Sequence, residues 1–417
     1  MVKSKLVLLS GLAFLFGVFT ASLGWNFYLT LAISTAATAL YLYLKRHNIS
    51  CDRRKCYAII FSIAAITAAS FFYYNFYANF QEIHPKIGEP PSWIEQKLLT
   101  FKESQINQFR INLPLNSAAL LAGETFGERS DFTKEFKEQM NQSGTTHIVA
   151  LSGYNIAILV LAISTALGSF LSRRKTFIIT AVVIILFVIM VGGGASIIRA
   201  AIMGFLILLA KELGRPYNLT NAIVLTAALM VLINPTILTE DIGFQLSFLS
   251  LLGIVYLEPA IKKLLRLKEG GGILGWRENA TMTLSAQIAV APILIYHFNQ
   301  FSLTAIPANV LILEVVPLTM FFGFFLAALS SILPVLGFLV AKLVNILLLY
   351  QIGVIKIFSS IHLPFPRFLS SGIAITIYYL ALIVIIQLTF RKKTVKYALV
   401  NQIIDNQKLP EERREKT

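Results

Sequence analysis

Long apolar runs alternate with short polar segments along most of the chain. Twelve of these runs approach or exceed the roughly 17 to 25 residues that a helix needs to cross a bilayer. Such runs predict α-helices, because a helix satisfies its own backbone hydrogen bonds in lipid. We therefore predict an all-α polytopic membrane protein with about ten to twelve transmembrane helices. The approximate spans are 6–24, 27–44, 57–78, 146–171, 176–192, 195–213, 218–234, 242–259, 280–297, 303–330, 335–358 and 371–390.

Residues that interrupt helices lie at two places in this pattern. Pro307 and Pro317 fall within run 303–330, which predicts a broken or re-entrant helix there. Three consecutive glycines separate two other runs and allow a helix break or a close backbone approach: Gly192, Gly193 and Gly194.

One long polar stretch, residues 79–145, interrupts the apolar pattern. It shows no series of alternating strands, so a folded β domain is not expected there. Its second half predicts an amphipathic helix over 130–141, capped by Ser130 or Asp131 and lying on the outer membrane surface. The apolar face of that helix recurs every four residues, at Phe132, Phe136 and Met140.

Composition supports a membrane protein and excludes several other classes. Of 417 residues, 56 % are hydrophobic and 14 % charged, which excludes a soluble enzyme, a disordered tail protein and a disulfide scaffold. The net charge of +15 is mostly explained by Lys and Arg in loops on one side of the membrane. These loops are cytoplasmic if both termini are, which places 79–145 outside. The basic segments are 45–56, 172–175, 211–215, 260–279 and the start of the tail at 391.

Metal and catalytic motifs are not evident. Cys51 and Cys56 lie in the basic loop 45–56, where a cytoplasmic location argues against a disulfide. The five histidines are scattered, and neither a nucleophile elbow nor a phosphate-binding loop is present. We expect no metal, no cofactor and no enzymatic activity in this chain.

Arg199 is the clearest ionisable residue within an apolar run, and such residues are candidates for function. A helix that begins near Ser196, after the three glycines, would present backbone N–H groups close to this guanidinium. That combination suits an anion such as a phosphate. The alternative is a structural arginine, paired with Glu314 or with helix-end carbonyls.

A second polar cluster, 143–155, opens the fourth predicted span. Ser152 and Asn155 share a helix face there, and Gly153 is placed to interrupt the helix. His147 is able to titrate, but a lone histidine at the end of a span is more often an interfacial residue.

A third cluster, 241–248, contains Asp241 and Gln245, which are four residues apart and project together from a helix. Gln287 and Asn309 are further polar residues in later spans. Each of these side chains alone is explained as a link between helices, whereas several near helix breaks suggest a lined cavity.

These clusters, in this order, resemble the ComEC-type competence family, the inner-membrane DNA-uptake channels of transformable bacteria. The resemblance covers roughly 116–330. The stretches that carry it are Thr145 to Gly153, Arg199 to Ala201, Gly243 to Phe248, and Gln287 through Pro292 to Asn309.

The resemblance implies a channel for single-stranded DNA in the bacterial plasma membrane. Its candidate lining or gating residues are Arg199, Ser152, Gly153, Asn155, His147, Asp241, Gln245, Gln287 and Asn309. The family usually has a histidine where this chain has Asn155, so a proton- or metal-dependent role of that histidine is not transferred. The implied partners are single-stranded DNA, membrane lipid, a separate nuclease, a DNA receptor and a cytoplasmic helicase, and a homodimer is left open.

The domains expected on this basis are 1–80 as N-terminal transmembrane helices, 81–115 as an extracytoplasmic linker, 116–390 as the competence-type membrane channel domain, and 391–417 as a cytoplasmic tail. The family's oligonucleotide-binding and nuclease domains are not expected in this chain. Two other functions remain open: a small-solute transporter, which also uses broken helices and polar residues at mid-membrane depth, and a non-catalytic membrane scaffold for a separate nuclease.

Overall fold

The computed structural model describes residues 2–44, 53–83, 91–149, 151, 153–265, 276–298, 301–361 and 371–390, and all regular structure in these ranges is helical. A short 3-10 helix covers Thr146–Ile148. The α-helices are α1 Val2–Ser22, α2 Phe27–Leu44, α3 Arg53–Ile83, α4 Trp93–Asn112, α5 Leu115–Phe126, α6 Lys134–Ser143, α7 Gly153–Gly168, α8 Arg173–Val191, α9 Ala195–Glu212, α10 Leu219–Ile233, α11 Ile237–Glu240, α12 Ile242–Tyr256, α13 Glu258–Leu264, α14 Trp276–Phe298, α15 Ala305–Ile312, α16 Val316–Ile332, α17 Pro334–Ser359 and α18 Gly372–Phe390.

The prediction of an all-α membrane protein is confirmed. Six segments of the described chain are long and apolar enough to cross a membrane, and α15 with α16 adds a seventh if this bent pair counts as one span. Helices α2, α7, α10 and α18 are also apolar, but their apolar stretches are only 10–17 residues long and fall short of the length criterion. The six segments are Ser4–Ser22, Cys56–Phe80, Arg173–Val191, Ile242–Leu264, Trp276–Phe298 and Val335–Ser359.

Both predicted helix breaks are present. The axes of α15 and α16 differ by 49° across the break, and Pro317 lies in the first turn of α16. Helix α8 ends at Gly192, and Gly192 and Gly193 have φ angles of 86° and 57°, a region that side chains rarely adopt. Gly194 then caps α9.

The polar stretch before residue 145 differs most from its prediction. Instead of a linker, residues 93–112 form α4, which begins at the side-chain cap Ser92. The predicted amphipathic helix begins later than expected, because the Thr133 hydroxyl caps α6 by accepting a hydrogen bond from the Phe136 N–H at 3.2 Å.

The apolar face of α6 meets protein rather than the membrane surface, which corrects the prediction. Phe132, Phe136 and Met140 are at most 6 % exposed. They share one hydrophobic core with residues of α5, α16 and α17. Helical periodicity identified the buried face correctly, but it does not distinguish a protein neighbour from lipid.

Cys56 is disulfide-bonded. The expectation of reduced cysteines in this region is therefore wrong for the structure. That expectation came from the cellular compartment assigned to the basic loop, and not from the local chain geometry.

The chain forms two compact units. The first comprises Met1–Leu249 and Ser302–Leu363, and the second comprises Ser250–Phe301 and Pro364–Thr417. In the first unit, α1 packs along α3 and α10. Helices α4 and α5 pack against α16 and α17, and α6 packs against α17.

In the second unit, α18 compensates for a proline inside α14. Pro292 has no N–H group to donate to the carbonyl of Ile288, one turn earlier. The Tyr378 hydroxyl donates to that carbonyl at 2.8 Å, and the Tyr379 hydroxyl donates to the carbonyl of Ala289 at 3.0 Å. These two bonds join α18 to α14.

Candidate functional site

Arg199 lies in the second turn of α9, after the glycine break that separates α8 from α9. The break directs the first turn of α9 toward the start of α7. The Ser196 hydroxyl in that turn donates to the Leu151 carbonyl at 3.0 Å.

The Arg199 guanidinium contacts both of the other polar clusters that the sequence singled out. Its Nη1 donates to the backbone carbonyl of Ser247 on α12, and Cζ lies 5.8 Å from the ring centroid of Phe248. On the other side it lies against Gly153, where an added Cβ would be 2.9 Å from Nη2. Three stretches separated by about 45 residues in sequence therefore meet at one guanidinium.

No carboxylate among the described residues forms an ion pair with Arg199. Its Nε is buried and has no hydrogen-bond partner among them. A guanidinium carries five N–H donors and stays charged in proteins. The sequence suggested either Glu314 or a backbone carbonyl as the structural partner of Arg199, and the structure has a backbone carbonyl. The positive charge of Arg199 is therefore not neutralised by a described side chain.

Asp241 and Gln245 form a helix corner instead of projecting together. Asp241 caps α12, since its Oδ1 accepts a hydrogen bond from the Phe244 N–H at 2.8 Å. The Gln245 amide donates to the Thr239 carbonyl at 2.8 Å and so ties α11 to α12. This corner holds the start of α12, and with it Ser247, in place.

The polar residues around the start of α7 separate into different environments. Asn155 is buried and donates to the backbone carbonyl of Glu124 on α5 at 3.0 Å. His147 is exposed, and its Nδ1 lies 3.1 Å from the Gly144 carbonyl oxygen. Ser152 lies outside the described residues.

Asn309 and Gln287 lie in different units. Asn309 on α15 is buried in the first unit, and its Oδ1 lacks a partner among the described residues. Gln287 on α14 belongs to the second unit, and its Oε1 is likewise buried without a described partner.

A buried polar group that the sequence analysis missed centres on Glu124. Its side chain is completely buried on α5, and Oε2 lies 2.6 Å from the hydroxyl oxygen of Thr319 on α16. The Gln351 amide on α17 donates to the same hydroxyl at 3.2 Å. An acid inside the apolar stretch 115–126 was the available signal. It was overlooked because the stretch was assigned to the outward-facing segment.

Neither region gathers metal ligands. Within the described ranges, no group of three or more His, Cys, Asp and Glu side chains is arranged to hold a metal ion.

Comparison with known proteins assigns the family. The family model for the competence protein matches residues 125–393, which include Arg199 and both of its partner clusters. ComE operon protein 3 of Bacillus subtilis (strain 168) is 28 % identical over 256 residues. The aligned region covers 59 % of this chain and 31 % of that protein, so the chain spans about a third of its relative. No solved structure matches the chain. The chain belongs to the competence protein family.

Proposed function

We propose that this chain is a plasma-membrane channel that carries single-stranded DNA into the cell during natural transformation. The observation that carries this proposal is the convergence of three polar clusters on Arg199. A guanidinium with an unused donor and no described acidic partner is suited to a phosphate that passes along the site.

The lining need not bind tightly. Conduction requires binding that is strong enough for entry and weak enough for release. One guanidinium beside a ring and a backbone carbonyl fits this requirement better than a row of lysines.

The chain crosses the membrane ten to twelve times with both termini in the cytoplasm, and it performs no catalysis. A separate nuclease, a DNA receptor and a cytoplasmic helicase supply strand degradation, capture and force, and two copies of the chain form the channel.

Uptake of labelled DNA into cells that lack their own channel tests the proposal. Cells that carry the chain should accumulate DNA in the cytoplasm, and Arg199→Ala should reduce uptake to background. Arg173→Ala is the matched control, because Arg173 is an exposed arginine at the start of α8 that pairs with Glu212 at 3.6 Å. It should leave uptake unchanged. Equal uptake by both variants would exclude Arg199 from the path.

Binding to purified protein distinguishes a DNA channel from a small-solute transporter. Single-stranded oligonucleotides of different sequence should bind with similar affinity. The logarithm of the binding constant should fall linearly with the logarithm of salt concentration. Stabilisation by a small anionic metabolite, with no response to oligonucleotides, would favour the transporter instead.

The disulfide at Cys56 provides a test of the proposed topology. A cytoplasmic loop 45–56 should be inaccessible to a membrane-impermeant maleimide in intact cells treated with an impermeant reductant, and should be labelled after permeabilisation and reduction. Labelling in intact cells would place this loop outside, in an oxidising compartment where disulfides persist.

A further inference from the structure

The Glu124 side chain is 0 % exposed, as are those of Thr319 and Gln351. Together they link α5 to α16 and α17 through two hydrogen bonds that both end on the Thr319 hydroxyl. Glu124 Oε1 and Gln351 Oε1 have no hydrogen-bond partner among the described residues. We refer to these three side chains as the Glu124 cluster.

An ionised Glu124 would be poorly satisfied in this place. A carboxylate offers about four acceptor positions, and the cluster supplies at most two donors, the Thr319 hydroxyl and the Gln351 amide. A buried charge without a counter-charge and with so few donors is costly, and a carboxyl in such surroundings takes up a proton instead.

A protonated Glu124 gives both hydroxyl hydrogens of the cluster an acceptor. Its hydroxyl donates to Thr319 Oγ1, which also accepts the N–H of Gln351. The Thr319 hydroxyl hydrogen is then available for the Val316 carbonyl, which lies 2.9 Å away. One hydroxyl thereby serves as acceptor for two donors and as donor for a third group, within the capacity of a threonine side chain.

The charges on neighbouring elements do not compensate Glu124. Helix α16 carries no ionisable residue. On α4, Lys102 and Arg110 form ion pairs with Glu128 and with Glu103 and Asp131, respectively, and Lys97 lies over the Trp93 ring. On α17, Lys342 and Lys356 are exposed. The remaining titratable groups on the packed elements and adjoining segments are Glu95, Arg129, His147, Glu314 and Tyr350. The largest influence on the pKa of the Glu124 carboxyl is desolvation by burial, and not any of these groups.

We propose that the Glu124 cluster is a proton-binding site, in which a neutral Glu124 carboxylic acid joins α5 to α16 and α17. Loss of this proton places an uncompensated charge in the contact between these helices. The charge is relieved when water enters or when α5 separates from α16. The site therefore makes the packing of α5 dependent on protonation, independently of whether the chain conducts DNA.

Infrared difference spectroscopy of the full-length protein in lipid nanodiscs at pH 7 tests the proposal. Wild type minus Glu124→Gln should show a carboxylic-acid carbonyl band that shifts in deuterated water. Wild type minus Glu128→Gln should show carboxylate bands only. Glu128 is the matched control because it lies four residues later, just after α5 ends, is partly exposed and forms an ion pair with Lys102 at 3.0 Å.

A carboxylate signal from Glu124 at pH 7 would overturn the proposal. If Glu124→Gln does not fold, Thr319→Val provides the second measurement. That variant keeps the acid but removes its hydrogen-bond acceptor, so the same carbonyl band should move in frequency and not disappear. An unmoved band, or no acid band in wild type, would equally overturn the proposal.

Discussion

Arg199 and Glu124 lie in the same compact unit, and uncharged groups hold both of them. Arg199 donates to a backbone carbonyl, whereas Glu124 lies against a hydroxyl. Neither forms an ion pair with a described residue. The two side chains nevertheless differ in what they can do about their charge.

A carboxyl group can remove its charge by binding a proton, but a guanidinium in a protein cannot lose its own. The Glu124 cluster can therefore be electrically neutral without any ligand. The Arg199 site keeps a positive charge and a buried Nε without a described partner. Lack of an ion pair therefore has two meanings in this unit: at Glu124 it indicates a protonation site, and at Arg199 it indicates a place for an anion.

After the loss of Arg199 itself, the greatest reduction in uptake should come from displacing its guanidinium without removing it. Gly153→Ala adds a Cβ 2.9 Å from Nη2, and the end of a flexible side chain moves easily out of the way. We expect DNA uptake to fall at least about tenfold, equivalent to about 1.4 kcal/mol. The free energy of unfolding should change by less than about 0.5 kcal/mol.

Gly168→Ala is the control for this substitution. Gly168 ends the same helix, and an added Cβ there meets nothing within 4 Å. Its uptake should equal that of wild type. If cells that carry Gly153→Ala also take up DNA normally, the position of the guanidinium does not affect uptake. That result would contradict the role of Arg199 as an anion site.

The second effect concerns Thr319, on which the Glu124 cluster depends. Thr319→Val leaves the Glu124 carboxyl and the Gln351 amide without their shared partner, and should destabilise the protein by about 1–3 kcal/mol. Unfolding in mixed micelles measures this change. Thr100→Val is the control, because the Thr100 hydroxyl is exposed and bonds only its own helix.

In a Glu124→Leu background, Thr319→Val should lower the free energy of unfolding much less, because the two side chains share a hydrogen bond. A double-mutant cycle measures that coupling, which we expect to be about 1 kcal/mol. Additive effects would mean that Thr319 stabilises α16 alone and that Glu124 is held by other groups.

A third prediction concerns a hydrogen bond between uncharged groups in the second unit, from the Tyr378 hydroxyl to the Ile288 carbonyl. Tyr378→Phe removes the hydroxyl that donates to the Ile288 carbonyl and should cost about 1 kcal/mol. In a Pro292→Ala background, the new N–H can donate to that carbonyl, so the same substitution should cost less. An equal cost in both backgrounds would show that the tyrosine does not compensate for the proline.

The sequence predicted the helices of this chain well, because apolar runs and helix breakers are local features. The breaks at Gly192 and between α15 and α16 lie where glycine and proline place them. Helix α4 was missed because its polar sequence lacks a long apolar run, and because its buried residues, Ile106 and Phe109, pack on partners distant in sequence.

The candidate site was predictable only in part. Arg199, Gly153 and the cluster that contains Ser247 were identifiable as polar interruptions in apolar runs, and the structure brings them together. Asp241 and Gln245 form a helix corner instead, since short-range hydrogen bonds satisfy them first. Glu124 depends on Thr319, 195 residues away, and no local pattern reveals such a pairing.

The smallest change in stability is expected at Glu128, an acid that follows the end of α5 and lies four residues after Glu124. Burial tends to raise the pKa of Glu128, but hydrogen bonds from Lys102 and Ser130 outweigh burial and lower the pKa to about 2 from its ordinary value near 4.5. Because the folded-state pKa is the lower one, this ion pair stabilises the protein above pH 4.5 and loses that contribution as the pH falls toward 2. The groups are partly exposed, so the contribution is about 0.5 kcal/mol. Unfolding at pH 7 and pH 3 should therefore show a smaller difference between wild type and Glu128→Gln at the lower pH, while the exposed-residue control Glu138→Gln shows little difference at either. A Glu128→Gln difference that is equal at both pH values would mean that Glu128 contributes by packing and not by charge, and it would no longer serve as the ionised counterpart of Glu124.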